Sequence, residues 1–390
     1  MPTPPDSVLD LPRPSWWTDD VALLREMTER FSTAEIMPNY ARYEEQGKVD
    51  RALWTKAGEA GLLCAQIPEA YGGAGGSHAH DAAIAEALGN TGADGFGLPL
   101  HNAIAAPYIL HCGTEEQKRR WLPRMATGEL IGAIAMTEPC AGSDLQGVRT
   151  TARRDGNHYV ISGSKTFITN GQHANLIIVV AKTDPSAGAK GTSLMIVETD
   201  EAEGFERGRN LDKIGVHAND TSELFFNDVR VPTANLLGLE EGRGFYQLMG
   251  QLPQERLLIA NQAMAMIERA LAATIDYVKE RTVFGRPVLD HQNTQFKLAE
   301  LKSEATMMKV FVNHCVGEHL AGRLTPTLAS MAKYLSTDLQ FKIADECLQL
   351  HGGYGYMNEY PIARMFRDSR VQRIYGGTNE IMKVLIARSL

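Results

Sequence analysis

Reactive side chains are plentiful in this sequence, but few stand at spacings that a known chemistry requires. His314 and Glu318-His319 share an expected helix, yet they match neither His-Glu-x-x-His nor His-x-x-Glu-His, so paired metal ligands on one face are not expected. His78 and His80 lie beside a glycine-rich turn, where surface exposure is the expectation. That turn, Tyr71-Gly-Gly-Ala-Gly-Gly76, would let a phosphate approach the backbone. It follows no clear strand and misses Gly-x-Gly-x-x-Gly, so a tight connection between helices is expected and a nicotinamide-binding unit is not. No Walker lysine pattern occurs. Gly142-Ser143 and Gly163-Ser164 lack the Gly-x-Ser-x-Gly elbow that would present a serine nucleophile. The cysteines, Cys64, Cys112, Cys140, Cys315 and Cys347, are odd in number and scattered without a Cys-x-x-Cys. They fit a reducing compartment, with neither a disulfide scaffold nor a cysteine zinc site. No metal site is expected.

The elements that would position such groups fall into three blocks. At about 150 residues per domain, 390 residues suggest two or three domains. With 44% apolar and 22% charged residues the chain has the balance of a folded globular protein. Its longest apolar run, Leu176 to Ala181, falls far short of the roughly 20 residues of a membrane helix. The formal charge of −8 argues against gripping nucleic acid by its phosphates.

Met1 to Pro14 has five prolines and two acids but neither an apolar signal core nor an Arg-rich presequence. Residues 1–17 are expected to be a flexible leader on a cytoplasmic protein. Residues 18–129 read as a helical domain, with Thr114-Glu-Glu-Gln117 as a capping box ahead of a helix containing Trp121. Residues 130–240 read as a β domain, because short runs such as Leu176–Val180 and Ser193–Val197 are separated by Asp-Gly, Ser-Gly and Asp-Pro turns. Residues 241–390 return to helix. Leu257, Ala260, Met264, Ile267, Leu271, Ile275 and Val278 trace one buried stripe, and Thr325-Pro326 starts another helix.

Four longer segments carry more information than any short motif. They are Ala133-Ile-Ala-Met-Thr-Glu-Pro-Cys-Ala-Gly-Ser-Asp144, Gly163-Ser-Lys-Thr-Phe-Ile-Thr-Asn170, Gln349-Leu-His-Gly-Gly-Tyr-Gly-Tyr356 and Ile374-Tyr-Gly-Gly-Thr-Asn-Glu-Ile381. Together and in this order, over Thr18 to Leu390, they resemble the acyl-CoA dehydrogenase family of flavoproteins, with the long-chain type most similar. The resemblance implies a multi-domain α+β fold: an N-terminal helical domain, a central β-barrel-like domain and a C-terminal four-helix bundle.

It also implies FAD as cofactor. Met136, Thr137, Gly142 and Ser143 would line the flavin with Phe167, Ile168 and Thr169, and Thr378, Asn379 and Glu380 would join them. Phe167 stands where many relatives carry tryptophan, which keeps the shielding without the indole donor. Core packing is the plain alternative for this ring. Arg281, Gln292, Gln349, Leu350, His351, Gly352 and Gly353 match positions that reach the cofactor of a neighbouring subunit, so a homo-oligomer, typically a homotetramer, is implied. Arginine suits a pyrophosphate because its fork pairs with phosphate oxygens.

Many relatives carry their catalytic glutamate after the tyrosine of the last segment, where this chain has Gly376. Leu252-Pro-Gln-Glu-Arg-Leu-Leu258 matches the long-chain arrangement, in which the base sits on an earlier helix, and assigns that role to Glu255. Its plain alternative is a helix carboxylate facing the dipole. Pro253 would start or kink the helix. Gly376 would contribute its backbone N–H, with a flavin ribityl hydroxyl, to the thioester oxygen. Tyr246, Pro253, Gln254, Arg256, Gly376 and Gly377 would border the acyl thioester. Ser143, Ala189 and Lys190 would lie near the CoA moiety, although a solvated Lys190 is equally expected.

The implied reaction is α,β-dehydrogenation of a saturated acyl-CoA to a trans-2-enoyl-CoA, with electron-transfer flavoprotein as acceptor. An acyl-CoA oxidase and a non-catalytic DNA-binding flavoprotein are the alternatives, and acyl chain length stays open. The first is disfavoured by the short stretch after the Thr-Asn-Glu segment, the second by the acidic balance and Glu255.

Overall fold

A computed structural model describes residues 7–390; residues 1–6 of the expected leader lie outside the described residues. The first helical block comprises α1 (Asp19–Phe31), α2 (Tyr40–Gln46), α3 (Arg51–Glu59), α4 (His78–Thr91), α5 (Leu98–Leu100), α6 (Ala106–Cys112) and α7 (Glu115–Ala126). Capping explains where α7 begins. The Thr114 hydroxyl accepts from Gln117 N–H, and the Gln117 side chain accepts from Thr114 N–H, so two otherwise unpaired backbone donors are satisfied. A π-helical turn, His101–Ala105, separates α5 from α6.

The middle block is a curled mixed sheet of β1 (Gly132–Ala135), β2 (Thr151–Asp155), β3 (His158–Thr169), β4 (Leu176–Lys182), β5 (Thr192–Glu198), β6 (Phe205–Asn210) and β7 (Thr221–Pro232). The order is β1-β4-β2-β3-β7-β6, with β5 also paired to β4. β1 runs parallel to β4 with Gly132 opposite Leu176, whereas β5 runs antiparallel to it. β4 is buried along its whole length. Leu176, Ile178 and Val180 pack with Trp121 and Tyr108 of the helices, while Ile177 and Val179 face Ile161, Phe226 and Val229 inside the curl. A strand covered on both faces has no polar side, which is why it reads as an unbroken apolar run.

The last block holds α8 (Gly244–Glu280), α9 (Gln292–Leu320) and α10 (Pro326–Leu350), followed by α11 (Pro361–Ser369) and α12 (Asn379–Ala387). The expected four-helix bundle is therefore three long helices supplemented by two of nine residues each. The chain bends at Gly352–Tyr356 and again after Ser369, which leaves no fourth long segment. Thr325 caps α10 at Leu328 N–H, with Pro326 at its first position. Between α8 and α9, strands β8 (Thr282–Val283) and β9 (Arg286–Pro287) form a short hairpin.

Residues 7–17 depart from the expected flexible leader. Leu9 and Trp16 are buried in the core formed by α4 and the long C-terminal helices. Ser7 Oγ donates to Glu268, and Trp16 Nε1 donates to the carbonyl of Asn313. Proline content signalled an irregular backbone correctly, but two large side chains supply the burial that holds it down.

Candidate functional site

The glutamate of the Leu252–Leu258 segment is a buried, strongly perturbed carboxyl at which several elements meet. Pro253 lies inside α8 and starts no helix, so the carbonyl of Met249 lacks its usual partner. Gln254, Glu255 and Arg256 follow, all buried. Burial pushes the Glu255 carboxyl up to about 7, against the smaller downward pull of a hydrogen bond from Tyr108 and the charge of Arg256. The Tyr108 hydroxyl on α6 donates to Glu255 Oε1 at 2.8 Å.

The Gly376–Gly377 turn lies against the same stretch of α8. Both glycines have positive φ, +68° and +92°. A Cβ on residue 376 would stand 2.4 Å from Ile259 Cδ1, one turn beyond Glu255, so that methyl would have to shift. Arg256 Nε donates to the Gly376 carbonyl at 3.4 Å, and the buried ammonium of Lys333 on α10 donates to the Gly377 carbonyl at 2.8 Å. Lys333 also reaches Asn379 Oδ1 at 2.9 Å. Burial, and then the charge of Arg256, press this lysine down to about 7. Thr378 caps α12 with its hydroxyl. Glu380 is exposed at that helix start, and its carboxyl lies below the usual range, first through a backbone hydrogen bond. The Glu255 and Glu380 carboxyls therefore have opposite environments.

The segment after β1 is fixed from beneath. Lys165 is fully buried and donates to the carbonyls of Met136 and Val180 at 3.0 and 2.7 Å and to Glu138 Oε1 at 2.9 Å. Glu138 accepts from the N–H groups of Arg149 and Thr150, so every charge in the cluster is partnered. Thr166 N–H donates to the Thr137 carbonyl. Where β3 bulges between Lys165 and Ile168, Phe167 takes φ +60° and is 67% exposed. The core-packing alternative for Phe167 is thus excluded. Ile168 is buried, Met136, Thr137 and Thr169 are half-buried, and Gly142 and Ser143 are exposed.

Near the start of α8, Tyr246 is half exposed under the guanidinium of Arg243, 5.4 Å away. Ala189 and Lys190 end a 3-10 stretch packed there, with the Lys190 carbonyl in the place a Cβ on Gly242 would need. The Lys190 side chain is exposed.

A second group of sequence candidates gathers at the other end of α8. Arg281 and Gln349 to Gly353 line a cleft of about 540 Å³ together with Tyr277. Tyr277 stacks on His351 at 4.2 Å, and the Arg281 guanidinium lies 5.7 Å over Tyr354. Gly352 and Gly353 have nothing within 4 Å of where a Cβ would sit. Gln292 is exposed at the start of α9 and is not among the lining residues. From Glu255 to Tyr277, α8 rises roughly 33 Å.

The expected exposure of His78 is also corrected. This ring is buried against His319, with centroids 4.5 Å apart, because α4 starts directly beneath the end of α9. His80 instead turns back to accept from Ser77 N–H and contacts Asp20. Sequence reasoning missed Tyr108, Lys165, Lys333 and Glu138. Lys165 and Glu138 lay inside recognised segments, but a lysine in a strand carries no sign of burial. Nothing in the sequence links Tyr108 to a residue 147 positions away.

Comparison with known proteins bears on the whole chain. Family models described as the N-terminal, middle and C-terminal domains of acyl-CoA dehydrogenase match residues 18–129, 133–229 and 242–390. The mitochondrial long-chain specific acyl-CoA dehydrogenase of Sus scrofa is 50% identical over 370 residues, 94% of this chain and 86% of that one. The crystal structure of an acyl-CoA dehydrogenase from Geobacillus kaustophilus superposes with a TM-score of 0.94 at 48% identity, covering 97% and 99% of the two chains. A glutaryl-CoA dehydrogenase from Mycobacterium smegmatis, solved in complex with FADH2, gives 0.88 at 30% identity, covering 95% and 94%.

Proposed function

Since the chain belongs to the acyl-CoA dehydrogenase family and is an oxidoreductase of that activity, we propose that it uses FAD to desaturate long-chain acyl-CoA thioesters, with Glu255 as the base. The observation that carries this reading is the buried Glu255 carboxyl, pushed up to about 7, against a glycine turn held by Arg256 and Lys333. The 50% identity to a long-chain specific relative favours long acyl chains.

Two features fit the cofactor. Phe167 offers an exposed apolar ring on a left-handed backbone that only its bulge and the Thr166–Thr137 tie maintain. The cleft at Arg281 and Gly352–Gly353 combines a guanidinium with open backbone, as a pyrophosphate requires. Met136, Thr137, Phe167 and Thr169 would hold the ring system, and Arg281 with Gln349–Gly353 the distal part of a neighbouring subunit's cofactor. Arg281 and Gln349–Gly353 stand roughly 33 Å of helix away from Glu255, which supports a site completed by a neighbouring subunit, so the assembly we propose is a homo-oligomer, a homotetramer in its full form. FAD, when bound, supplies the acceptor for the substrate's β-hydride, and electron-transfer flavoprotein is the proposed oxidant of the reduced enzyme.

The chain's own groups do the rest. Glu255 removes the α-proton, and the released electron pair becomes the second bond of the Cα=Cβ unit. The N–H of Gly376 stabilises developing charge on the thioester oxygen, and glycine at this position leaves that backbone donor in place. Closure of the site around substrate excludes water and strengthens both interactions. Arg256 and Lys333 hold the carbonyls of Gly376 and Gly377 and so brace the turn. Tyr246 borders the acyl thioester in this reading, and Ala189 and Lys190 lie towards the CoA portion.

The test is anaerobic. Purified protein is expected to be yellow and to bleach with saturated acyl-CoAs, most strongly with long chains. Glu255→Gln should bind substrate without bleaching, and Glu380→Gln should retain the base function. Normal reduction of Glu255→Gln would remove the assignment of the base.

A further inference from the structure

Glu255 is held by a residue from a different domain. Its Oε1 accepts the Tyr108 hydroxyl at 2.8 Å, and both side chains are buried. Among the described residues no donor reaches Oε2, and that atom is not one of the sealed, unpartnered ones. The two oxygens of this carboxylate are therefore inequivalent before any substrate arrives. Tyr108 has no slack of its own. It sits on α6, directly after the π-helical turn His101–Ala105, and packs with Ile109, Trp121 and Leu248 in the core between helices and sheet.

We propose that Tyr108 is a positioning residue for the base: its hydroxyl anchors Oε1 of Glu255 and leaves Oε2 as the atom that takes the substrate's α-proton. This rests on the reading of Glu255 as base. A carboxylate with one oxygen fixed loses its freedom to rotate, so its remaining lone pair points along one direction in each turnover. The same bond has a chemical consequence. A hydroxyl that donates to a carboxylate favours the charged form, so Tyr108 opposes the burial that pushes Glu255 up to about 7. Tyr108 itself stays protonated, because burial first, then the nearby carboxylate, drive its own phenol well above the usual range.

The other groups acting here are few. Arg256 lies beside Glu255 on α8 and lowers both Glu255 and Tyr108. Cys112 acts on Tyr108 from the same helix and stays a thiol, with burial pushing it to about 11. Lys333 of α10 faces Arg256. Asp81 of α4 is a separate buried carboxyl, also pushed to about 7, and titrates in the same range.

The experiment uses the FAD-loaded enzyme without substrate. The infrared band of the protonated Glu255 carboxyl is titrated, identified by its loss in Glu255→Gln, which leaves the Asp81 band in place. In Tyr108→Phe the midpoint should move up by roughly one pH unit, as expected for loss of one hydrogen bond to a charged group. The acidic limb of the kcat/KM profile for anaerobic flavin reduction should move with it. An unchanged midpoint would overturn the proposal, because a role in packing alone predicts no shift.

Wild-type enzyme gives a second reading that does not depend on the variant folding. A tyrosine C–O band should shift as Glu255 titrates, and Glu255→Gln should abolish that shift. Absence of the coupled band also overturns the proposal. Loss of the base reading looks different: Glu255→Gln would then reduce its flavin at the normal rate, whatever the titration shows.

Discussion

Replacing Glu255 by glutamine should make the protein more stable, and increasingly so as the pH rises. An unfolded glutamate ionises near 4.5, whereas burial moves Glu255 up to about 7 in the folded protein. Between those values the folded state binds the proton and the unfolded state does not, so stability falls as pH rises from 4.5 through 7. The difference of about 2.5 on the pH scale corresponds to about 3 kcal/mol once ionisation is complete. About 2.5 kcal/mol of it accrues between pH 5 and pH 8. Glutamine keeps the shape and the acceptor for the Tyr108 hydroxyl but has no charge to bury.

A chain of this length has an unfolding entropy of roughly 0.8 kcal/mol/K. The melting temperature of Glu255→Gln minus that of the parent should therefore grow by about 3 °C from pH 5 to pH 8, with both proteins saturated with FAD. Asp81 titrates over the same range but is common to both proteins and cancels. A difference that stays flat with pH would refute the reasoning, since it would mean that ionising Glu255 costs the folded state nothing. The stabilised variant is also the one that should not reduce its flavin, which links the strain of a buried base to its use.

Three further outcomes follow from the site. Phe167→Asn places a residue that tolerates left-handed backbone where an exposed phenylalanine now sits, so apoprotein melting should hold or rise while FAD retention falls about tenfold; a melting temperature lowered by several degrees would show that the ring is structural. Lys165→Met should cost about 3–5 kcal/mol in urea unfolding by leaving Glu138 buried without its partner, and flavin content should fall with it, whereas a surface-like loss under 1 kcal/mol would contradict the clamp. Moving the base, as Glu255→Gly with Gly376→Glu, should restore little flavin reduction, because Ile259 occupies the space of the new side chain. Adding Ile259→Ala should raise the rate of that relocated enzyme at least tenfold, and equal rates with and without it would contradict the clash.

Local readings of the sequence held where the physics is local. The capping box at Thr114 and the Thr325-Pro326 start each involve groups within four residues, and both appear where expected. The apolar run in β4 and the stripe along α8 record how thoroughly those elements are covered. Gly376 was legible as a departure from the commoner pattern, and its positive φ explains why glycine suits a turn lacking the glutamate.

Other expectations failed for equally physical reasons. Proline content says that residues 7–17 are irregular, but not that Leu9 and Trp16 find a cleft between helices from both ends of the chain. Periodicity shows that His78 starts a helix, but not that His319 covers it. Phe167 has the composition of a core residue, and only the bulge in β3 turns it outward.

By itself, the sequence determined the order helix, sheet, helix, the covered strand, and the segment that places a carboxyl at position 255. Each of those depends on neighbours along the chain, through capping, alternation or helical phase. Tertiary structure alone decided that Glu255 would be buried, that Tyr108 would hold one of its oxygens from 147 positions away, and that Ile259 would fill the space beside Gly376. Proton affinity depends on what surrounds a group in space, and those surroundings do not exist until α6, α8, α10 and the glycine turn are packed together.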